Sequence, residues 1–314
     1  MLRRLVAVVG PTASGKSAIA LALANDLGGE IVNGDSRQIY RGMDIGTAKP
    51  TLAERRQVRH HLFDIVDPRD AYSLALYQRD ARASFEEIWE RGSFPWLVGG
   101  TGQYVWSLLE NWSVPEVAPD EAFRRGLAAV AESGGPEALH ARLAAFDPVA
   151  AGRIDARNVR RVIRAIEVFE HTGRPISDWQ TKGQPDFEYL LFGIDVPLEE
   201  LDRRIDARVD AMMEAGFLDE VQNLLDDGVS PEAPAMSSIG YAQLVRHLRG
   251  EVTPEEAIEQ TKRATRRLAR RQLQWFRKTD ARIKWVRDAG GIELEANIFT
   301  GACTNVIRGE RRKA

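Results

Sequence analysis

Near its N-terminus the chain reads Gly10-Pro11-Thr12-Ala13-Ser14-Gly15-Lys16-Ser17. The stretch fits the pattern G-x-x-x-x-G-K-[S/T] at every fixed position, between an apolar run at residues 5–9 and a helical pattern at residues 17–27. In such a loop backbone amides turn inward around a phosphate, and the N-terminus of the next helix adds partial positive charge. Lys16 adds a full charge, and the Ser17 hydroxyl is a ligand for Mg²⁺. The sequence therefore predicts a diphosphate or nucleotide site at residues 10–17, with Mg²⁺ as cofactor and Ser17 as metal ligand.

Short apolar runs alternate with helical patterns through the first third of the chain, an order typical of a parallel sheet. Residues 120–172 then read as consecutive helices without a strand signal. The predicted elements are strands at residues 5–9, 30–33, 95–98 and 189–196 and helices at residues 17–27, 77–91, 198–226, 239–248 and 254–278, besides those within 120–172.

This order of elements predicts an α/β fold, with a P-loop-type parallel sheet core and an all-helical insertion domain. Pro115 and Pro119 mark the linker at which the pattern changes. The core is expected to comprise residues 1–117 and 188–314, and the insertion residues 118–187.

The composition, with 44% hydrophobic and 28% charged residues and a net charge of −3, is ordinary for a soluble globular protein. A single cysteine, Cys303, excludes an internal disulfide and a multi-cysteine zinc site. No apolar run is long enough to span a membrane, and the start of the chain lacks the features of a signal peptide. We therefore expect a cytoplasmic protein without a membrane partner.

The polar residues after the predicted strands bear on the reaction. ATP-hydrolysing P-loop proteins usually place an Asp for Mg²⁺ after a later strand. Here that strand runs into Gly99-Gly100-Thr101, and the carboxylate nearest a strand end is Asp35. Asp35 and Thr101 could serve only as helix caps. Placed at the carboxyl edge of the sheet, they instead suit a reaction in which diphosphate leaves and Asp35 accepts a proton elsewhere.

Several strings of the sequence together resemble one family, the bacterial tRNA dimethylallyltransferases, also called tRNA isopentenyltransferases. The resemblance covers nearly the whole chain, and the D-S-R-Q-x-Y and G-M-D-I-G-T-A-K-P strings are its most specific parts. The matching strings are G-P-T-A-S-G-K-S at 10–17, D-S-R-Q-I-Y at 35–40, G-M-D-I-G-T-A-K-P at 42–50, V-G-G-T-G at 98–102, R-R-V-I-R-A-I-E-V at 160–168, I-G-Y at 239–241 and T-R-R-L-A-R-R-Q-L-Q-W-F-R at 265–277.

The resemblance implies that a dimethylallyl group moves from dimethylallyl diphosphate to the exocyclic N6 amine of the adenine 3′-adjacent to the anticodon in tRNA, releasing diphosphate. Asp35 would be the general base, Thr101 would help to place the target base and the diphosphate, and Lys16 would stabilise the leaving group. The expected diphosphate-binding residues are Gly10, Pro11, Thr12, Ala13, Ser14, Gly15, Lys16, Ser17 and Arg208. The expected tRNA-binding residues are Asp35, Ser36, Arg37, Gln38, Thr101, Arg124, Arg160, Arg161, Val162, Ile163, Arg164, Arg270, Arg271 and Arg277.

Two basic clusters support an RNA partner. Residues 153–164 hold five arginines and one acid, and residues 262–287 hold eleven Lys and Arg and one acid. Such runs are usually solvated faces, but in an otherwise acidic chain they favour a footprint for RNA phosphates. The insertion is expected to grip the anticodon stem-loop, and the protein is expected to be a monomer.

Two further groups allow more than one interpretation. His60 and His61 invite a metal site, but no further ligands stand at suitable spacing, so a structural role is favoured. Residues 44–49 form either a loop over the active site, with Lys49 near the diphosphate, or a structural turn.

Three alternative functions stay open on the sequence. A P-loop small-molecule kinase requires nucleoside triphosphate turnover and a second carboxylate for Mg²⁺. An adenylate prenyltransferase carries out the same chemistry on the free nucleotide and needs no basic insertion. A non-enzymatic RNA-binding module would not need the phosphate loop or Asp35.

Overall fold

We describe the protein from a computed structural model, which covers residues 3–179 and 181–301. Cys303 lies outside the described residues. Within these two ranges no helix combines the length and the apolar character needed to cross a membrane.

The described residues form one parallel sheet of six strands in the order β3-β2-β4-β1-β5-β6. The strands are β1 (Arg4–Val9), β2 (Glu30–Asn33), β3 (His60–His61), β4 (Pro95–Gly99), β5 (Glu188–Ile194) and β6 (Lys284–Val286). Because β4 lies between β2 and β1, three neighbouring strands deliver the residues that follow Asn33, Gly99 and Val9 to the same edge of the sheet.

Fourteen α-helices surround the sheet or form the segment between β4 and β5 in the described ranges. They are α1 (Lys16–Leu27), α2 (Leu52–Gln57), α3 (Leu74–Glu90), α4 (Gly102–Leu109), α5 (Glu121–Gly134), α6 (Pro136–Phe146), α7 (Pro148–Ala151), α8 (Val159–Thr172), α9 (Ile176–Trp179), α10 (Leu198–Glu214), α11 (Phe217–Asp226), α12 (Tyr241–Leu248), α13 (Pro254–Trp275) and α14 (Gly290–Thr300).

The predicted α/β class is confirmed, and the elements differ from the prediction in three respects. The helix expected at 198–226 is two helices, because Gly216 adopts a left-handed conformation (φ 94°) between them. Strands β3 and β6 were not predicted, since two or three residues are too few to show a period. Helices α2, α4, α9 and α14 were not predicted either.

The centre of the sheet is buried on both faces. All residues of β2 and β4 are buried, as are residues 5–9 of β1. At the carboxyl edge β2 and β4 approach so closely that a Cβ on Gly99 would lie 2.1 Å from the backbone of Gly34. A side chain at position 99 would therefore push apart the two strand ends that lead to Asp35 and Thr101.

The chain divides into two compact units. The first comprises residues 1–72, 78–105 and 186–314, and the second comprises residues 73–77 and 106–185. The second unit is helical and starts earlier than the predicted residue 118. Its residues 110–113 are tied to residues 181–183 by the Lys182–Glu110 ion pair (2.7 Å) and by the Ser113 amide, which donates to the Thr181 carbonyl (3.1 Å).

Candidate active site

The phosphate loop connects β1 to α1 in the middle of the sheet. Gly15, the residue before α1, has φ 90°, and Ala13 has φ 64°, a left-handed conformation that is uncommon outside glycine. Two such residues in a short loop turn successive amides toward one side, which suits an anion. The Ser14 hydroxyl is buried and has no hydrogen-bond partner among the described residues, so it adds an unused polar atom to this loop.

Thr101 follows β4, next to the phosphate loop. Its amide donates to the Gly34 carbonyl (3.2 Å), and its Oγ1 accepts from the Ser36 amide (3.0 Å). The Thr101 side chain is thereby fixed against the segment that carries Asp35.

Asp35 follows β2 and is held from both sides. Its amide donates to Asn33 Oδ1 (2.8 Å), its carbonyl accepts from Asn33 Nδ2 (3.0 Å), and its Oδ1 accepts from the Arg37 amide (2.9 Å). No hydrogen bond to Asp35 Oδ2 occurs within the described ranges. One carboxylate oxygen therefore sets the position of the side chain, while the other can take a proton.

The phosphate loop and Asp35 border one cavity of about 230 Å³ in the first unit, and Thr101 lies beside them through its hydrogen bond from the Ser36 amide. The phosphate loop, Asp35 and Arg208 supply polar groups at one end, and further polar residues of the lining are Gln38, Thr47, Lys49, Glu54 and His60. Apolar side chains form another part of the wall, with Leu21, Ile31, Phe63 and Val98 among them. The cavity thus combines an anion site with an apolar compartment, as a diphosphate ester of a short hydrocarbon requires.

The charge state of Lys16 depends on its surroundings. Burial lowers the pKa of Lys16 to about 8, the nearby Asp35 carboxylate opposes that change, and the Arg208 guanidinium adds to it. Below that pH the ammonium is charged and lies where a bound diphosphate would neutralise it.

Helix α10 brings two arginines toward the loop, one turn apart. Arg204 Nη1 donates to the Ser14 carbonyl (3.4 Å), and Arg208 lines the cavity. Burial lowers the pKa of Arg208, and no ion pair to it is found in the part of the chain that is described. Arg208 therefore presents a positive charge without a carboxylate partner to the cavity, as its predicted role requires.

Other residues of the D-S-R-Q string have local partners. Gln38 lines the cavity, and its Nε2 donates to the Thr47 (2.9 Å) and Ala48 (3.1 Å) carbonyls. Arg37 Nη1 donates to the Pro234 carbonyl (3.0 Å). Ser36 hydrogen-bonds Thr101, as described above.

Gln272 of α13 was not predicted as a site residue. Its Oε1 accepts from the Thr12 amide (2.7 Å), and only 5% of the residue is exposed. Its position in the basic string of α13 gave no reason to separate it from its neighbours.

The loop at residues 43–50 is anchored by a second missed residue, Glu220. Its carboxylate accepts from the amides of Asp44 (2.8 Å), Ile45 (2.7 Å) and Gly46 (3.1 Å) and from the Tyr241 hydroxyl (2.6 Å). These charge-assisted hydrogen bonds fix the backbone of the loop.

Lys49 borders the cavity, but its ammonium is bound within this loop. Its ammonium pairs with Asp44 (2.6 Å) and Asp64, and it donates to the Tyr40 carbonyl; 1% of its side chain is exposed. Of the two interpretations of this segment, the structure favours the structural one for Lys49.

In the second unit, two arginines expected at the tRNA pair with a buried carboxylate. Arg124 Nε (2.8 Å) and Nη2 (2.9 Å) donate to Glu167, and so does Arg164 Nη1 (2.6 Å). Burial raises the pKa of Glu167, but hydrogen bonds from Arg124, the Asp120 amide and Arg164 lower it to about 2. Arg124 and Arg164 are thus structural partners of Glu167.

The predicted tRNA-binding residues on helix α8 differ in their exposure to solvent. The Val162 and Ile163 side chains are buried in the hydrophobic core of the second unit, and their contact with tRNA stays a prediction. Arg160 and Arg161 are exposed, and neither has an ion pair within the described residues. They are the α8 side chains available to an external anion.

Half of the basic face of α13 is neutralised by α10. Lys262 pairs with Asp210 (2.7 Å), Arg266 with Asp206 (2.8 Å) and Arg270 with Asp202 (2.7 Å), one pair per helical turn. The exposed arginines of this region without an acidic partner in the described ranges are Arg263, Arg267, Arg271 and Arg277. Arg270 is therefore already paired, whereas Arg271 and Arg277 remain free to bind phosphates.

The two histidines have structural contacts. His61 Nε2 lies 2.7 Å from Glu30 Oε2, and His60 Nδ1 lies 2.7 Å from the Val58 carbonyl oxygen. No group of three or more potential metal-ligating His, Cys, Asp or Glu residues occurs in residues 3–179 and 181–301.

Comparisons with known proteins identify relatives over most of the chain. A family model described as IPP transferase matches residues 38–279, and one described as Isopentenyl transferase matches residues 3–67. A tRNA dimethylallyltransferase of Thermomicrobium roseum is 52% identical over 281 residues, which covers 90% of this chain and 85% of that protein. One from Herpetosiphon aurantiacus is 50% identical over 294 residues and covers 94% and 93%.

Solved structures give the same result. The full-length tRNA isopentenylpyrophosphate transferase of Bacillus halodurans has a TM-score of 0.68 and 40% identity, covering 98% of this chain and 99% of that one. A eukaryotic dimethylallyltransferase acting on tRNA has a TM-score of 0.78 and 29% identity, covering 91% and 74%.

The fold and the cavity define a transferase built on a phosphate-loop α/β sheet. The two family models, and the relatives, which are matched over most of their length, identify the family of this transferase. The chain belongs to the IPP transferase family, together with the tRNA dimethylallyltransferases. The predicted family and enzyme class are confirmed.

Proposed function

We propose that this protein transfers a dimethylallyl group from dimethylallyl diphosphate to the N6 amine of the adenine 3′-adjacent to the anticodon in tRNA, releasing diphosphate. The observation that carries the proposal is the meeting of the phosphate loop and Asp35 around one cavity with an apolar wall, at the sheet edge where Thr101 also lies. The names of the relatives support the same donor and acceptor.

Charge develops on the diphosphate as the allylic carbon–oxygen bond breaks. The inward amides of the loop, the Lys16 ammonium and the Arg208 guanidinium stabilise that charge without rearranging during the reaction. The dimethyl end of the donor packs against the Leu21, Ile31, Phe63 and Val98 side chains.

Mg²⁺ fits the chemistry of this end of the cavity. The exposed Ser17 hydroxyl, which follows Lys16 and lines the cavity, would be the protein ligand of the ion. When bound, the ion would add positive charge at the leaving group.

Asp35 accepts the proton that the adenine amine loses as its nitrogen forms the new bond to carbon. An exocyclic amine is a weak nucleophile, so a positioned base lowers the barrier. Oδ2 is the oxygen available for this step, since Oδ1 accepts from the Arg37 amide. Thr101, fixed by Ser36, holds the base beside Asp35.

The target base lies in a structured RNA loop and must leave its stack, at a cost of a few kcal/mol. Phosphate contacts offset this cost. Arg160 and Arg161 of the insertion bind the anticodon stem-loop, and Arg271 and Arg277 add contacts from the first unit. We propose that the protein acts as a monomer in the cytoplasm, where tRNA is available.

The test is incubation with radiolabelled dimethylallyl diphosphate and either total tRNA or AMP, with ATP turnover measured in parallel. We expect label in tRNA, at the nucleoside 3′ to the anticodon, and none in AMP. Label in AMP alone would replace tRNA by a free nucleotide as acceptor. ATP turnover without transfer of label would establish a kinase instead.

A further inference from the structure

We propose that Gln272 is a positioning residue that fixes the distance between the donor loop and the acceptor side of the active site. This inference rests on the proposed function, because it assigns the two sides of the cavity to donor and acceptor. It concerns a side chain from the far end of the sequence, 260 residues after Thr12.

Gln272 contacts both sides at once. Its Oε1 accepts from the Thr12 amide of the phosphate loop (2.7 Å). Its Nε2 packs against Gly100, where an added Cβ would lie 2.4 Å from that nitrogen. Gly100 directly precedes Thr101. One buried side chain therefore lies against the loop that binds the leaving group and the segment that orients the target base.

The type of side chain matters at this position. The Thr12 amide needs a hydrogen-bond acceptor. Lys and Arg are donors only and are therefore excluded at this position, although the two preceding residues, Arg270 and Arg271, are arginines. A carboxylate would accept, but it would add negative charge beside the diphosphate. A neutral amide accepts from the loop without repelling the donor.

The helix that carries Gln272 is itself held in place. Three ion pairs join α13 to α10, from Lys262–Asp210 to Arg270–Asp202, and α10 reaches the loop through the Arg204 hydrogen bond to the Ser14 carbonyl. The backbone of Gln272 is thus held in place, which a residue that positions reacting groups requires.

Gln272→Met keeps the length of the side chain and removes both polar atoms. In single-turnover transfer with saturating donor and tRNA, we expect the rate to fall about 10- to 100-fold, because small misplacements of reacting groups have effects of this size. The dissociation constant for tRNA should change less than about twofold, and the thermal midpoint should confirm folding. The matched control is Gln274→Met, an exposed glutamine on the same helix, which should react like the parent.

Gln272→Glu keeps the shape of the side chain and changes only its charge and hydrogen bonding, so it tests positioning apart from packing. It also provides the test if Gln272→Met does not fold. The glutamate accepts from Thr12 but, while ionised, places a negative charge beside the diphosphate. Its rate relative to the parent should therefore rise as the pH is lowered from about 8 to about 5.5 and the side chain becomes protonated.

Two results would overturn the inference. One is a parental rate for Gln272→Met together with a pH-independent ratio for Gln272→Glu. The other is full recovery of the rate at high donor concentration, which would make Gln272 a donor-binding residue only. A parent enzyme that labels no tRNA would instead refute the proposed function.

Discussion

The arginines of α8 should separate into structural and RNA-binding groups. Arg164 donates to Glu167, whose side chain is fully buried and also accepts from Arg124 and the Asp120 amide. Arg160 and Arg161, on the same helix, are exposed and have no acidic partner in the described ranges. We therefore predict that Arg164→Ala lowers the stability of the fold, whereas the double change Arg160→Ala with Arg161→Ala lowers the affinity for tRNA.

The size of the structural effect follows from Glu167. Lowering its pKa from the ordinary 4.5 to about 2 corresponds to roughly 3 kcal/mol that favour the ionised, folded form. Arg164 provides one of four donated hydrogen bonds, and Arg124 remains after the substitution. We expect Arg164→Ala to lower the free energy of unfolding by about 1–3 kcal/mol, since a buried charge loses part of its compensation.

The pH dependence has a defined sign. A carboxyl group whose pKa is lower in the folded state stabilises the fold fully above its unfolded pKa, near 4.5, and loses that contribution as the pH falls toward 2. Urea unfolding of the parent and of Arg164→Ala should therefore differ at neutral pH, and the difference should shrink as the pH falls from about 4.5 toward 2.

The double variant should behave in the opposite way. Its free energy of unfolding should change by less than about 0.5 kcal/mol for each substitution, because both side chains are exposed. Its affinity for tRNA should fall, and the slope of log affinity against log salt should become shallower by up to about two. Parental stability of Arg164→Ala, or an unchanged salt slope of the double variant, would refute this division of the arginines.

Three further predictions concern the first unit. Donor affinity, measured by calorimetry, should fall as the pH rises above about 8, because Lys16 then loses the charge that holds diphosphate, and Lys16→Met should abolish this dependence. Arg271→Ala should flatten the salt dependence of tRNA binding by about one, whereas Arg266→Ala, which removes the partner of Asp206, should lower the thermal midpoint and leave the salt slope nearly unchanged. Glu220→Gln should lower the unfolding free energy by about 1–3 kcal/mol, because three loop amides lose a charged acceptor, and unchanged urea unfolding would contradict this.

The parts of the site that could be predicted from sequence are those defined within a few residues. The phosphate loop and its flanking strand and helix occupy one short stretch. Strand β2 ends at Asn33, as predicted, two residues before Asp35. Parallel strands bring such turns to one edge, so Asp35 and Thr101 could be placed near the loop without knowledge of the strand order.

The parts that could not be predicted depend on partners far away in the sequence. Gln272 lies 260 residues from Thr12, and Glu220 lies 175 residues from Ile45. The same holds for Arg270, whose partner, Asp202, is on another helix, so that the local charge pattern does not distinguish it from the other arginines of α13.

Single-turnover transfer by Asp35→Asn is the most direct test of the mechanism. Asparagine keeps an oxygen for the Arg37 amide, so the local structure should persist, but it cannot accept a proton at neutral pH. The change also removes the charge that opposes the lowering of the Lys16 pKa, so the assay belongs at about pH 6.5, where Lys16 stays charged.

With donor and tRNA both saturating, the predicted result is a rate lower by roughly 10²- to 10⁴-fold with nearly unchanged binding of both substrates. A parental rate combined with weaker tRNA binding would contradict the account. It would make Asp35 a residue that positions the RNA, and the proton would have to leave through water or the diphosphate.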